Sequence, residues 1–266
     1  MSSAQAVAFQ REKDGSSPEE WEDGAGLDPG DPGSGRRPRY VVLDGATEAF
    51  DSIRWVGQLV ESFLGLDGGE RPVLDQPGMS GWFARMQQVW LDRTPATFGS
   101  FFEERKFTEQ GSFATVLGCE LQLDGDGPTW TAVALGDAVL FHLRDGGLLE
   151  VFPPMSADDF GIDPDGISTQ PSQLPRMAAR LRFSTGSLAD GDVLLLCTDA
   201  LAAWALRSAG TGAGPWATLA ALDHPAAFDD LVRTELATRR LKNDDVTMVR
   251  VQLSTDPANA LLVCRS

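Results

Sequence analysis

Histidine and cysteine are scarce in this 266-residue chain, with two of the first and three of the second. Cys119, Cys197 and Cys264 each sit inside an apolar segment, are odd in number and have no CxxC spacing. That pattern excludes a disulfide framework and a thiolate zinc site, and leaves reduced core cysteines that behave as small hydrophobes. No Cys-His or Ser-His pairing suited to a protein nucleophile is present, and His142, inside an apolar run, reads as a strand-face residue rather than a ligand. Long apolar runs are also missing. No stretch approaches the roughly 18 uninterrupted apolar residues of a membrane helix, and the start, MSSAQAVAFQREKDGSSPEE, lacks a secretion signal. A cytoplasmic protein is expected. Basic residues are the third shortage, 22 against 39 acidic ones, for a formal net charge of −17. Such a field repels nucleic acid and anionic membranes, so neither is an expected partner.

What is present suffices for a sizeable core. Hydrophobic residues make up 42% of the chain and charged ones 23%, which fits one domain over 1–266. Residues 1 to about 36, rich in Gly, Pro, Ser, Asp and Glu, read as an irregular acidic lead-in, docked locally through Trp21. A short apolar strand follows at Tyr40–Leu43. In SIRWVGQLVESFL, Ile53, Val56, Val60, Phe63 and Leu64 share a helical face, and GWFARMQQVWLDR predicts a second amphipathic helix with Trp82 and Trp90 in the core. From residue 111 the texture turns to β. GSFATVLGCELQL, TWTAVALGDAVLFHL and GLLEVF predict three antiparallel strands, the last two joined by the hairpin turn RDGG. Residues 153–180, with five prolines, read as a flap-like excursion over one end of the sheet. A buried strand with a following helix, a helix opened by Pro225, and a half-buried strand with Val249, Val251 and Leu253 close the pattern.

Carboxylates recur at the tips of the apolar strands. Asp44 follows YVVL, Asp199 follows DVLLLCT, and Asp244 and Asp245 precede VTMVRVQL; Glu22 and Asp23 add a further pair. Taken one at a time, an Asp before a helix is usually an N-cap and a DD before a strand is usually a turn. If the tips meet, their negative charges crowd at a low-dielectric edge and call for a cation. Ligands made only of oxygen select magnesium or manganese over zinc. Gly45 lets the backbone approach closely enough for its carbonyl to join them.

The order of these segments, WED, VLDGATE, GSFATVLG, VALGDAVLFHLRDGG, GDVLLLCTDALAAW and NDDVT, resembles the metal-dependent protein phosphatases of the protein phosphatase 2C type, in a bacterial branch. The resemblance covers nearly the whole chain. It implies an α+β fold, a four-layer α-β-β-α sandwich of two antiparallel sheets flanked by helices. It also implies hydrolysis of phosphomonoesters, with serine/threonine phosphoproteins as substrates and a bacterial kinase system as a partner. The attacking water would bridge two Mn2+ or Mg2+ ions. By the same resemblance Asp44 bridges both ions, the Gly45 carbonyl and Asp23 hold one side, Asp199 and Asp244 hold the other, and Glu22 acts through water. Gly136-Asp137 is taken as structural.

Departures from the family pattern stand beside the matches. Ala46 and Thr47 occupy the stretch where relatives carry a general-acid His, and an alkoxide leaving group without such help costs about 10²- to 10⁴-fold. SSPEE replaces the region of a phosphate-gripping Arg; Arg11 and Lys13 lie further off, and Lys106 is a possible substitute. Ala203 replaces the Asp of a third metal site, which predicts two tightly held ions. An alternative from another class, a degenerate phosphatase-like domain acting as a binding or regulatory module, stays open. The excursion at 153–180 is the candidate for substrate choice.

Overall fold

In the computed structural model of the chain, residues 2–255 are described apart from 18–19, 47–48, 94–98 and 162–163, with only the backbone at 102–103. Two five-stranded sheets carry the fold. The first contains β1 (Ser3–Arg11), β7 (Val139–Arg144), β8 (Gly147–Phe152), β11 (Val193–Cys197) and β12 (Val246–Ser254), in the spatial order β1-β12-β11-β7-β8. The second contains β2 (Gly24–Asp28), β3 (Arg39–Leu43), β5 (Val116–Gln122), β6 (Thr129–Leu135) and β10 (Arg182–Ser187), in the order β10-β6-β5-β3-β2. Every pairing within them is antiparallel.

Central strands are buried on both faces, which is why they read as unbroken apolar runs. Along β11, Leu194 and Leu196 enter the core between the sheets, while Val193, Leu195 and Cys197 face the outer helices. In β3, Tyr40 and Val42 point inward and Val41 and Leu43 outward. The period of two follows from the pleat, and each side chain buried this way contributes about 1.5–3 kcal/mol. Helices α1 (Ser52–Leu64) and α2 (Gln76–Asp92) cover the second sheet; α5 (Asp199–Gly210), α6 (Pro215–Ala220) and α7 (Pro225–Ala237) cover the first. The layers are therefore α-β-β-α, as the sequence resemblance implied.

α1 spans the predicted residues, but its buried face is turned by part of a step. Trp55, Val56, Leu59, Phe63 and Leu64 are buried, whereas Ile53 is 47% exposed. The face is set by what it lies on: Gly118 of β5 makes room for the Phe63 ring, which a Cβ there would run into. α2 begins at Gln76, earlier than the sequence pattern suggests, because Asp75 caps it by accepting from Gly78 N–H and Pro77 sits in its first turn. Trp82 and Trp90 are both fully buried, as predicted.

Two expectations are corrected. The lead-in is not irregular throughout: β1 pairs along its whole length with β12, from Ser3 opposite Ser254 to Arg11 opposite Val246, and β2 pairs with β3. Its inward residues, Ala4 and Ala6, are small and sit in the inter-sheet core, so composition averaged over 36 residues hides a strand. Secondly, TWTAVALGDAVLFHL is not one strand. It breaks at Gly136, where φ is +112°, and passes from β6 in the second sheet to β7 in the first. The RDGG turn is a two-residue hairpin with positive φ at Asp145 and Gly146.

The remaining elements are short. α3 (Phe101–Arg105) runs on into a π-helical turn, Lys106–Gln110; β4 (Phe113–Ala114) then pairs with β9 (Ile167–Ser168). α4 (Leu174–Arg180) packs on α2 and buries Met177. Cys119 and Cys197 are buried free thiols, pushed up by desolvation. Cys264 and Thr47 lie outside the described residues. No helix among the described residues is long and apolar enough to cross a membrane.

Candidate active site

The acidic strand tips meet at one end of the sandwich, in an open cleft of about 580 Å³. Glu22, Asp44, Gly45, Asp137, Asp199, Asp244 and Asp245 line it, together with Ala46, Thr115 and Lys242. Asp44 leaves the end of β3, and its carbonyl accepts from Thr115 N–H at 2.8 Å. Asp199 opens α5 directly after β11 and Thr198, its Oδ1 accepting from Ala200 N–H. Asp244 stands before β12. Strands β3, β11 and β12 belong to different layers or neighbouring positions of the sandwich, so only its closure brings these tips together.

Glu22 and Asp23 are held from behind. Ser52 Oγ donates to Glu22 Oε1 at 2.7 Å, and Lys13 Nζ lies 3.7 Å from Glu22 Oε2. Asp23 is buried and does not line the cleft; Thr198 Oγ1 donates to its Oδ2 at 3.1 Å. Asp245 ties this segment down, its two oxygens accepting from Lys13 N–H and Glu22 N–H, each at 3.0 Å. At Gly45 the backbone of Glu22 comes close enough that a Cβ would stand 2.6 Å from its carbonyl oxygen. The glycine therefore serves the approach of the WED segment.

Crowding shows in the proton affinities. Burial raises Asp44 well above the usual carboxylate range, and the charges of Asp23, Asp199, Asp137 and Asp244 raise it further. Asp23 is raised by burial against the Thr247 and Thr198 hydroxyls, with Asp245 and Asp199 adding to it. Asp199 is raised by burial, with Lys242 opposing. Asp137 is pushed up to about 7, first by burial and then by Asp199. Isolated negative charge in a partly dry cleft is costly, and a cation or a proton relieves it.

Three further residues join the site, Thr115 and Lys242, which sequence reasoning did not name, and Asp137, to which it gave a structural part. Asp137, taken as structural, lines the cleft because the chain changes sheets at Gly136, and its Oδ1 is buried without a hydrogen-bond partner. Thr115 Oγ1, also in the lining, is buried and unpartnered as well. Lys242 lies two positions before Asp244 and is the one Lys or Arg of the described lining; its Nζ is 2.5 Å from Asp244 Oδ2 and 3.5 Å from Asp199 Oδ2. Among the described residues, no three Asp, Glu, His or Cys side chains close around a single point as they would about a bound ion. The donor set is nonetheless all oxygen, and two of the lining residues, Asp137 and Thr115, each hold a buried oxygen without a partner, which fits a hard divalent cation.

Lys106, the candidate phosphate grip, lies away from the cleft beside Arg105 and Glu109. Arg11 is engaged with Asp14 and Asp229. Gly161 and Pro164 of the excursion border the cleft.

Two antiparallel sheets flanked by helices are the architecture of the protein phosphatase 2C-like fold. No family model and no curated protein matches the chain by sequence. Among solved structures it is similar to a bacterial serine phosphatase, with TM-score 0.63 and 14% identity over 94% of this chain and 98% of the other. It is also similar to the catalytic domain of the serine threonine protein phosphatase PstP in complex with two manganese ions, with TM-score 0.59 and 16% identity over 96% and 100%. RsbX in complex with magnesium matches with TM-score 0.52 and 14% identity over 94% and 96%.

Proposed function

We propose that this protein is a divalent-metal-dependent phosphomonoester hydrolase acting on phosphoserine or phosphothreonine in proteins. The observation that carries the proposal is the meeting of Asp44, Asp137, Asp199 and Asp244 in one cleft, where burial and the neighbouring carboxylates raise the proton affinity of Asp44, Asp137 and Asp199. The neighbours that bind manganese or magnesium share only the fold with this chain, and support the choice of ion class.

Asp44 and the Gly45 carbonyl would hold one Mn2+ or Mg2+ ion and Asp199 and Asp244 a second, with Glu22 reached through water; Asp23, a ligand by the sequence resemblance, stands behind the cleft on Thr198 and would support the first ion from there. Bound there, the ions supply a water of lowered pKa and neutralise charge on the phosphoryl oxygens. The chain's own contribution is placement. β3 fixes Asp44, Thr198 fixes Asp23, Ser52 fixes Glu22, and Asp245 fixes the backbone that carries both Glu22 and Asp23. Ala46 in the lining offers no proton to a leaving group. An aryl phosphate, whose leaving group needs none, is therefore the easier substrate, and a phosphothreonine peptide the harder.

The test is Mn2+-dependent phosphate release from both substrates by the wild type and by Asp199→Ala. Release from both, lost in the variant, supports a phosphoprotein phosphatase. Release from the aryl ester alone restricts the proposal to the metal centre. Metal binding without release from either overturns the enzyme in favour of a binding or regulatory module.

A further inference from the structure

Seven acidic side chains stand in or directly behind the cleft; Lys13 reaches Glu22 from behind, and among the described residues one cation, Lys242, lines the cleft itself. Lys242 reaches Asp244 and Asp199 at the same time, and no other Lys or Arg among the described residues lines the site. Its backbone is anchored on both sides. Leu241 is buried, Asn243 exchanges hydrogen bonds with the backbone of Asp14, and Asp245 accepts from Lys13 and Glu22. Only the side chain is free to move, and it is 61% exposed. A flexible four-carbon stem with its ammonium at the water boundary can swing out of the cleft at little cost in desolvation.

We propose that Lys242 is an internal counter-ion: it holds the Asp199–Asp244 half of the cleft in the metal-free protein and must be displaced before a divalent ion is taken up there. The inference rests on the metal-dependent reading of the site and concerns this chain's own control over it. The ammonium neutralises part of the repulsion between Asp199 and Asp244, so it supports the fold when no ion is bound. A divalent ion seeking the same oxygens meets a positive charge already in contact with them. The two halves of the site are thereby made unequal. The Asp44–Gly45 half binds without this competition, whereas the Asp199–Asp244 half fills only at higher ion concentration.

Mn2+ titration by calorimetry, with melting of the EDTA-treated protein, compares the wild type with Lys242→Met and Lys242→Arg. Lys242→Met is expected to bind Mn2+ at the weaker site about two- to fivefold more tightly, the scale of one exposed charge contact. Its metal-free form is expected to melt at a lower temperature. Lys242→Arg, which keeps the charge, is expected to retain the weak site and the wild-type melting point. Wild-type binding with unchanged or weaker affinity in Lys242→Met overturns the counter-ion role and leaves the proposed metal centre intact. Absence of Mn2+ binding in wild type and both variants overturns the metal centre itself, and this inference with it.

Discussion

Strand β11 carries an aspartate just outside each of its ends, Asp192 buried and Asp199 half-buried, and the two have opposite fates. Asp192, before Val193, accepts from Arg144 Nε and Nη2 at 2.9 and 2.7 Å, from His142 Nε2 at 2.8 Å and from Ala189 N–H at 2.7 Å. Burial alone would raise it, but Arg144, the Ala189 N–H and His142 outweigh that and hold it below the usual carboxylate range. Trp130 Nε1 donates to His142 Nδ1 across the inter-sheet core, which leaves Nε2–H for the carboxylate. Asp199, past Cys197, has one backbone N–H and the distant edge of one ammonium, and is raised. The same residue type on the same strand is thus structural at one end of the sandwich and poised for a cation at the other. What separates them is the supply of donors.

The largest expected effect is at the satisfied end. Asp192→Asn takes the carboxylate from the buried His142 and from Arg144, whose guanidinium keeps water on one side, and should cost about 1–3 kcal/mol in urea unfolding, the range for a buried polar group that loses its partner. A loss below about 1 kcal/mol would erase the contrast between the two ends. At the other end the sign reverses. Asp44→Asn removes one charge from the repelling group, so the EDTA-treated protein should melt higher, by about 2–4 °C for each kcal/mol gained. Mn2+-dependent aryl phosphate hydrolysis should meanwhile fall by more than about 100-fold.

Proton linkage sharpens the comparison further. Asp137 has a folded value of about 7 against 3.8 for the free side chain. Between those values the folded state keeps a proton that the unfolded chain has released, so this contribution to stability falls as pH rises through that window and is flat above it. Asp192 works the other way: its contribution is full above the unfolded carboxylate value and is lost as pH falls through its lowered folded value. Melts of EDTA-treated protein should therefore decline as pH rises from about 5 to about 7 and level off above that, and Asp137→Asn should flatten the decline. A smaller effect is expected at Asp245→Asn. An amide cannot accept from both Lys13 N–H and Glu22 N–H, so Mn2+ affinity should drop about tenfold, as for a residue that orients ligands. Full affinity in that variant would mean that the WED segment is held without it.

Much of this was legible in the chain. α1, α7 and β12 follow from side-chain periodicity, because a helix or strand packed on a flat neighbour must repeat its apolar residues at 3.6 or 2. Asp44, Asp199 and Asp244 stood out because each breaks an apolar run abruptly. Asp137 was hidden by its context: VALGDAVLF reads as one strand, and only the change of sheet at Gly136 turns that Asp towards the cleft. Lys242 was hidden because a lysine in a polar turn is ordinarily solvated. β1 was hidden because its inward residues are alanines.

The sequence by itself determined most of the buried segments, β1 apart, where their carboxylates fall and that too few cations exist to pair them all. Tertiary structure decided which carboxylates share a space, because that depends on strand order across two sheets and not on spacing along the chain. It also decided that Asp192 meets Arg144 and His142 while Asp199 meets other aspartates, since the charge state of a buried group is set by the neighbours that the fold brings to it.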